Sequence, residues 1–331
     1  MKKLSKKMMI SLLTFALVFI ALGASTFAWF TLADSAQVTD VQINVSSGTG
    51  LEIALEEDGV YKSKWTTSEL EEFIGDITLS DLNSTDGVNF KNFAKEDVVF
   101  ETGENKVNSF IEITFYFKGQ PSVSNVENVG VYLINHQKTA TFNNKPNNGT
   151  FLVSKGVESK ADAAYTDING SSVAVDATQK YFAANATMVS FQDNGLASNN
   201  VKLYDFNAVA GSNYNDGFAT DAGTNGANLK GAASYYYHKN EVNPGVGATR
   251  LTPSGELTTF TNTSNVDQPD NQNSLICTMT PESEGSRIYK GSVKIRIWVE
   301  GFDADCFNSI LADIIVTQFE FKLGYTIKEG N

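Results

Sequence analysis

Apolar and polar residues alternate along much of this chain, and a period of two marks strands with one buried face. Val41, Ile43 and Val45 stand between Asp40, Gln42 and Asn44. After a turn at 46–50, Leu51, Ile53 and Leu55 alternate with Glu52, Ala54 and Glu56. Glu57-Asp58-Gly59 supplies a second turn, because Asp-Gly tolerates the positive φ of tight hairpins. These segments predict a β-meander in the first third of the chain. Residues 67–74 (TSELEEFI) break the alternation and predict one or two helical turns, with a Thr or Ser cap and Glu71 arranged like a capping box. Residues 83–108 read as loop, with apolar anchors at Phe90, Phe93, Val98 and Phe100.

The densest strand signal is 110–117 (FIEITFYF), β-branched and aromatic throughout. Residues 129–134 (VGVYLI) predict its partner strand, across a polar connection. Residues 181–191 and 201–206 read as further core strands. Tyr235, Tyr236 and Tyr237, ahead of His238, suggest another, half exposed. Towards the end, Val293, Ile295, Ile297 and Val299 alternate with Lys294, Arg296, Trp298 and Glu300. A short helix is expected at 306–311, then a closing strand carrying Ile314, Val316, Phe319, Phe321 and Leu323. The register changes between Val316 and Phe319, which predicts a bulge. Residues 135–180 and 207–274 are rich in Asn, Gly, Ser and Thr; alone they bury little, and they read as insertions between core strands. About eight to ten strands with irregular loops predict an all-β, jelly-roll-like β-sandwich.

The N-terminus has another pattern. Lys2, Lys3, Lys6 and Lys7 precede an apolar run over 8–22, followed by Gly23, Ala24, Ser25, Thr26, Phe27 and Ala28. Charged, apolar and small residues in that order are an export signal. Thr26 and Ala28 suit the minus-three and minus-one pockets of a signal peptidase, which places cleavage after Ala28. The alternative is an uncleaved anchor, since 8–30 exceeds the roughly 20 residues a bilayer core requires; the Gly-Ala-Ser-Thr break favours processing. The expectation is a signal helix over 1–28 in transient contact with the membrane, then one secreted domain over 29–331.

Charge narrows the partners. The 331 residues include 25 basic and 38 acidic ones. Cleavage removes four lysines and no acids, leaving 21 basic against 38 acidic residues, a net −17. Such a chain is repelled by phosphate backbones, so no nucleic-acid partner is expected. Two cysteines, Cys277 and Cys306, allow one bridge in an oxidising compartment; a bridge and two buried thiols are equally open readings. Glu300, Asp303 and Asp305 in EGFDAD are hard oxygen ligands of the kind calcium takes, but the EF-hand pattern fails and a solvated turn is the better reading. No other cofactor is implied. His136 and His238 lack HExxH spacing, and no GxSxG elbow, Walker A loop or dinucleotide fingerprint occurs in the needed setting, so no enzyme is expected.

The sequence GASTFAWFTLAD, ahead of an alternating strand, resembles the start of the TasA/camelysin family: exported, fibre-forming matrix or surface proteins of Gram-positive bacteria, matured by a SipW-type signal peptidase. The matching positions are Ser25, Thr26, Phe27, Ala28 and Phe30. The block KIRIWVEGFDADCFNSILAD through FEFKL is similar to the end of many exported proteins with this signal. The resemblance covers residues 20–60 and 288–325. It implies a jelly-roll sandwich that polymerises when the mature N-terminal strand completes a neighbour's sheet. Here that strand would carry Val41, Ile43 and Val45, with the chain itself or related fibre subunits as partners. The functional expectation is therefore a secreted structural subunit of an extracellular fibre, biofilm matrix or cell-surface layer. Its alternative is a monomeric adhesin or carbohydrate-binding module using Tyr181, Tyr204, Tyr214 and Tyr235 to Tyr237. A secreted metallopeptidase, as camelysins have been described, comes third.

Overall fold

The computed structural model describes residues 40–47, 50–74, 79–92, 95–100, 110–137, 139–195, 201–205, 217–247 and 274–328. The expected signal, with Thr26 and Ala28, lies outside them. The first half holds β1 (Asp40–Ser47), β2 (Leu51–Ala54), β3 (Lys64–Trp65), helix α1 (Thr67–Ile74), β4 (Asp81–Asn83), β5 (Phe90–Asn92), β6 (Lys95–Phe100), β7 (Ile111–Gly119) and β8 (Val126–Leu133). Then come β9 (Phe151–Ser154), β10 (Val157–Lys160), β11 (Tyr165–Thr166), β12 (Ser172–Val173), β13 (Thr178–Tyr181), β14 (Thr187–Asp193) and β15 (Val201–Asp205). Helix α2 (Gly231–Asn240), β16 (Leu275–Thr278), β17 (Thr280–Pro281), β18 (Tyr289–Glu300) and β19 (Ile314–Ile327) complete the chain. The protein is all-β in its framework.

Two large sheets carry it. The first runs β16–β8–β19–β1–β3, with β9 also paired to β19. The second centres on β18, flanked by β14 and β17 on one side and by β7 and β4 on the other. β15 extends it beyond β14, β2 beyond β7, and β5 and β6 beyond β4. The sheets face each other through aromatic rings. Phe321 of β19 lies 6.1 Å from Phe115 and 5.4 Å from Phe117 of β7, and Phe319 lies 5.9 Å from Phe191 of β14. Burying each such ring contributes roughly 1.5–3 kcal/mol.

Both sides where the sheets meet are joined. On one, Lys62 exchanges backbone hydrogen bonds with Ile53 of β2 (2.9 and 3.0 Å) just ahead of β3, which belongs to the other sheet. On the other, the chain passes from β16 in the first sheet to β17 in the second. Asp193 accepts the Thr278 N–H there at 2.7 Å, and Lys202 of β15 donates to the Leu275 carbonyl. Burial pulls the Lys202 pKa down to about 8.

Several expectations are corrected. Residues 129–134 do not pair with 110–117: β8 sits in the opposite sheet, on β19 and β16, because the connection after β7 crosses between sheets. The bulge between Val316 and Phe319 is absent. β1 pairs with β19 in unbroken register from Asp40↔Ile314 to Ser47↔Phe321. Val316 instead packs on the other face of β19 with Phe151 and Val153, so apolar residues there serve two faces. Within 83–108, expected to be loop, lie β5 and β6, and β4 ends at Asn83. Leu82 and Phe90 cover Trp298, Met188 and Leu203 on the outer face of the second sheet. The α1 cap is Thr66, whose N–H and hydroxyl both bond Glu69 at 2.8 Å, not a Glu71 pair.

The two insertions meet in a small cap. Its strands are β10 paired with β13 and β11 paired with β12. Helix α2 replaces the strand expected at Tyr235 to Tyr237. The stretch begins with small residues, Gly231 through Ser234, all buried, and Ser234 Oγ accepts the Thr166 N–H of β11 at 3.0 Å. Tertiary packing thus overrides the β preference of tyrosine. The cap rests on residues 301–307: the Ala232 N–H donates to the Ala304 carbonyl at 2.7 Å, and Phe302 joins Phe218, Ala222, Leu229 and Ala233 in one apolar cluster.

Candidate functional site

β1 is the strand on which the family resemblance turns. Its eight residues lie parallel to β19, while β3 covers only Val45 and Ser46 on the opposite edge. Beyond them, Thr67 at the start of α1 donates its hydroxyl to the Ile43 carbonyl at 3.0 Å. Val41, Ile43 and Val45 are all buried, as alternation predicted. They are buried within their own chain, so β1 is here a strand of its own sheet.

Cys277 and Cys306 are free, which is the second of the two open readings. Cys277 packs beside Gly291 near the start of β18, where an added Cβ would lie 2.8 Å from its Sγ. Cys306 lies two turns past the other end of β18: its N–H bonds the Asp303 carbonyl, and the Asp303 N–H bonds the Glu300 carbonyl. The strand between them spans about 30 Å at about 3.3 Å per residue. A disulfide needs Cα atoms within about 7 Å. Burial pushes both thiols well above their ordinary pKa.

Glu300, Asp303 and Asp305 do gather at the end of β18, but not as a solvated turn. Glu300 is fully buried and accepts from Trp298 Nε1 at 3.0 Å and from the Ser84 and Phe302 N–H groups at 3.3 Å. It ties β4 and the following loop to β18. Asp303 accepts the Asp305 N–H at 2.9 Å. Burial raises the pKa of both aspartates, and Asp205 and Glu300 push Asp303 further in the same direction. Among the described residues, no three His, Cys, Asp or Glu side chains are arranged to hold a metal ion.

Three of the aromatic side chains proposed for stacking on sugars, Tyr181, Tyr204 and Tyr235, pack against other rings of the chain. Tyr204 is buried, with its hydroxyl 2.5 Å from His136 Nδ1. In the cap, Tyr165, Tyr181 and Tyr235 surround Phe307, with ring centroids 5.5, 4.5 and 5.8 Å from it. Tyr236 is exposed, and Tyr214 lies outside the described residues. His238 stands in the last turn of α2.

Sequence reasoning missed the node that joins the two insertions. Asp162 accepts from Tyr235 Oη at 2.5 Å and from Lys239 Nζ at 2.6 Å. Burial raises the Asp162 pKa, but these bonds outweigh it and hold the carboxyl below its ordinary value. The i, i+4 spacing of Tyr235 and Lys239 would have signalled one helical face; nothing local marks Asp162 as their partner.

Compared with known proteins, the chain matches no family model, no curated protein and no solved structure.

Proposed function

We propose that this chain is a secreted structural subunit of an extracellular fibre or cell-surface layer, a jelly-roll-like sandwich that assembles by passing β1 between copies. One observation carries the reading. β1 is the first described strand after the expected export signal, and its one full-length ladder is the parallel one to β19, with β3 pairing only Val45 and Ser46 on the other edge. The same eight pairs form equally well when the strand comes from another chain, which is the logic of domain swapping. Exchange re-buries Val41, Ile43 and Val45 with no new surface needed. A signal helix still held in the membrane would restrain β1, so cleavage after Ala28 would release it.

Deleting residues 29–47 tests this. A strand-exchange subunit lacking β1 stays folded and monomeric and binds a peptide of sequence DVQINVSS. The full mature chain forms fibres at high concentration. If the shortened chain is unfolded, or if the full mature chain remains monomeric at every concentration, the reading fails. The sugar-binding alternative gains nothing from tyrosines packed on Phe307 and His136.

A further inference from the structure

The cap holds a set of phenols that the proposed assembly does not use. Tyr165 and Tyr181 have their hydroxyl oxygens 3.0 Å apart, and both rings lie against Phe307. Tyr165 is buried, so its ring is held by packing as well as by the hydrogen bond. Tyr235 meets it edge to face, 5.7 Å between centroids. The Tyr235 hydroxyl already donates to a carboxylate, Asp162, whose other oxygen holds Lys239. A phenol that loses an electron must also lose its proton, and Tyr235 has an acceptor in place.

We propose that Tyr165 and Tyr181 are a site of oxidative cross-linking, joined as dityrosine when a haem peroxidase with hydrogen peroxide removes one electron from each, with Tyr235 and Asp162 as the entry point for oxidation. Each phenol gives up one electron and its hydroxyl proton. The two radicals couple through a new bond between ring carbons ortho to the hydroxyls. Those carbons then return a hydrogen to each oxygen and the rings regain aromaticity. Two hydrogens leave in all, and one peroxide takes them to become two waters. Asp162 takes the Tyr235 proton when the oxidant removes its electron, and Tyr165 then refills Tyr235. The product ties β11 to β13, linking residues 16 positions apart in sequence and stapling the two hairpins of the cap.

Mature protein treated with a haem peroxidase and hydrogen peroxide is analysed by intact mass and peptide mapping. The expected product is a monomer lighter by two hydrogens, with the Tyr165 and Tyr181 peptides linked. Its yield should fall several-fold in denaturant, where the two hydroxyls are no longer held together. Tyr181→Phe keeps the ring on Phe307 and should abolish the link. Asp162→Asn should slow it several-fold, and Tyr236→Phe should leave it unchanged. Circular dichroism confirms that each variant is folded. A link that survives Tyr181→Phe, that forms equally in denaturant, or that falls on the exposed Tyr236 overturns the proposal. An unchanged rate in Asp162→Asn overturns the route through Tyr235.

Discussion

In the sandwich, Phe319 and Phe321 of β19 reach across to rings of β14 and β7, and three strands contribute to one apolar interior. In the cap, three tyrosines crowd a single ring, Phe307, and their hydroxyls bond one another or Asp162. The sandwich is held by area removed from water, which needs no partner of particular shape. The cap is held by a few directional contacts between segments from two distant insertions. Losing one element of the sandwich exposes apolar surface from several strands; losing one contact of the cap releases a hairpin or α2. Global stability should therefore reside in the sandwich, and the cap should open on its own at lower cost.

The largest effect should separate the two regions. Phe321→Ala removes a fully buried ring and should cost about 3–5 kcal/mol, lowering the main denaturation midpoint. Phe307→Ala, though also buried, should move that midpoint much less and instead speed hydrogen exchange across α2 and β10–β13. If Phe307→Ala lowers the main midpoint as far as Phe321→Ala, cap and sandwich are one cooperative unit.

A smaller effect locates the seat of the cap. Gly231 has φ +56, and a Cβ there would lie 2.2 Å from the Ala304 carbonyl oxygen. Gly231→Ala should cost about 1 kcal/mol or more in strain and clash. Faster exchange should be confined to α2 and residues 217–229. Uniform destabilisation by chemical denaturation would place this contact in the main folding unit instead.

The same contrast explains what the sequence disclosed. Period-two alternation identified β1, β7, β18 and β19, because in a strand the inward positions follow from backbone geometry alone. It misjudged Val316, since a strand covered on both faces loses its alternation, and it missed that β8 joins the opposite sheet, since alternation says nothing of pairing. The cap was invisible: its apolar residues are sparse, and neither insertion buries Phe307 without the other. Val41, Ile43 and Val45 were legible as a buried strand. The distance between Cys277 and Cys306 was not, because it depends on which end of β18 each thiol meets.

Two carboxylates near the cap sharpen the comparison with the smallest effects, and with opposite signs. Burial raises the folded-state pKa of Asp303, so its contribution is fully present below the ordinary aspartate value of 3.8 and is lost as pH rises through the raised value. Asp303→Asn, which keeps an acceptor for the Asp305 N–H but carries no charge, should raise the melting midpoint at neutral pH and have little effect in acid. A lower midpoint at neutral pH would show that the ionised group is needed.

Asp162 runs the other way. Its folded-state pKa is depressed by Lys239 and Tyr235, so its contribution is present above 3.8 and is lost as pH falls through the lowered value. The site is partly exposed and screened by solvent, so the loss is modest. Acidifying from neutral should first tighten the seat of the cap through Asp303 and Asp305. Below 3.8 it should loosen the joint between the insertions through Asp162. Protection of α2 and β11 amides should therefore pass through a maximum in mild acid. Asp162→Asn should remove the fall on the acid side, and Asp303→Asn should flatten the neutral side. In the β1–β19 ladder Val41, Ile43 and Val45 pair with Ile315, Thr317 and Phe319, none of them ionisable, and the protection of these six should change little over the same range. A maximum of equal size in β1 would mean that the sandwich and the cap respond to protons as one body.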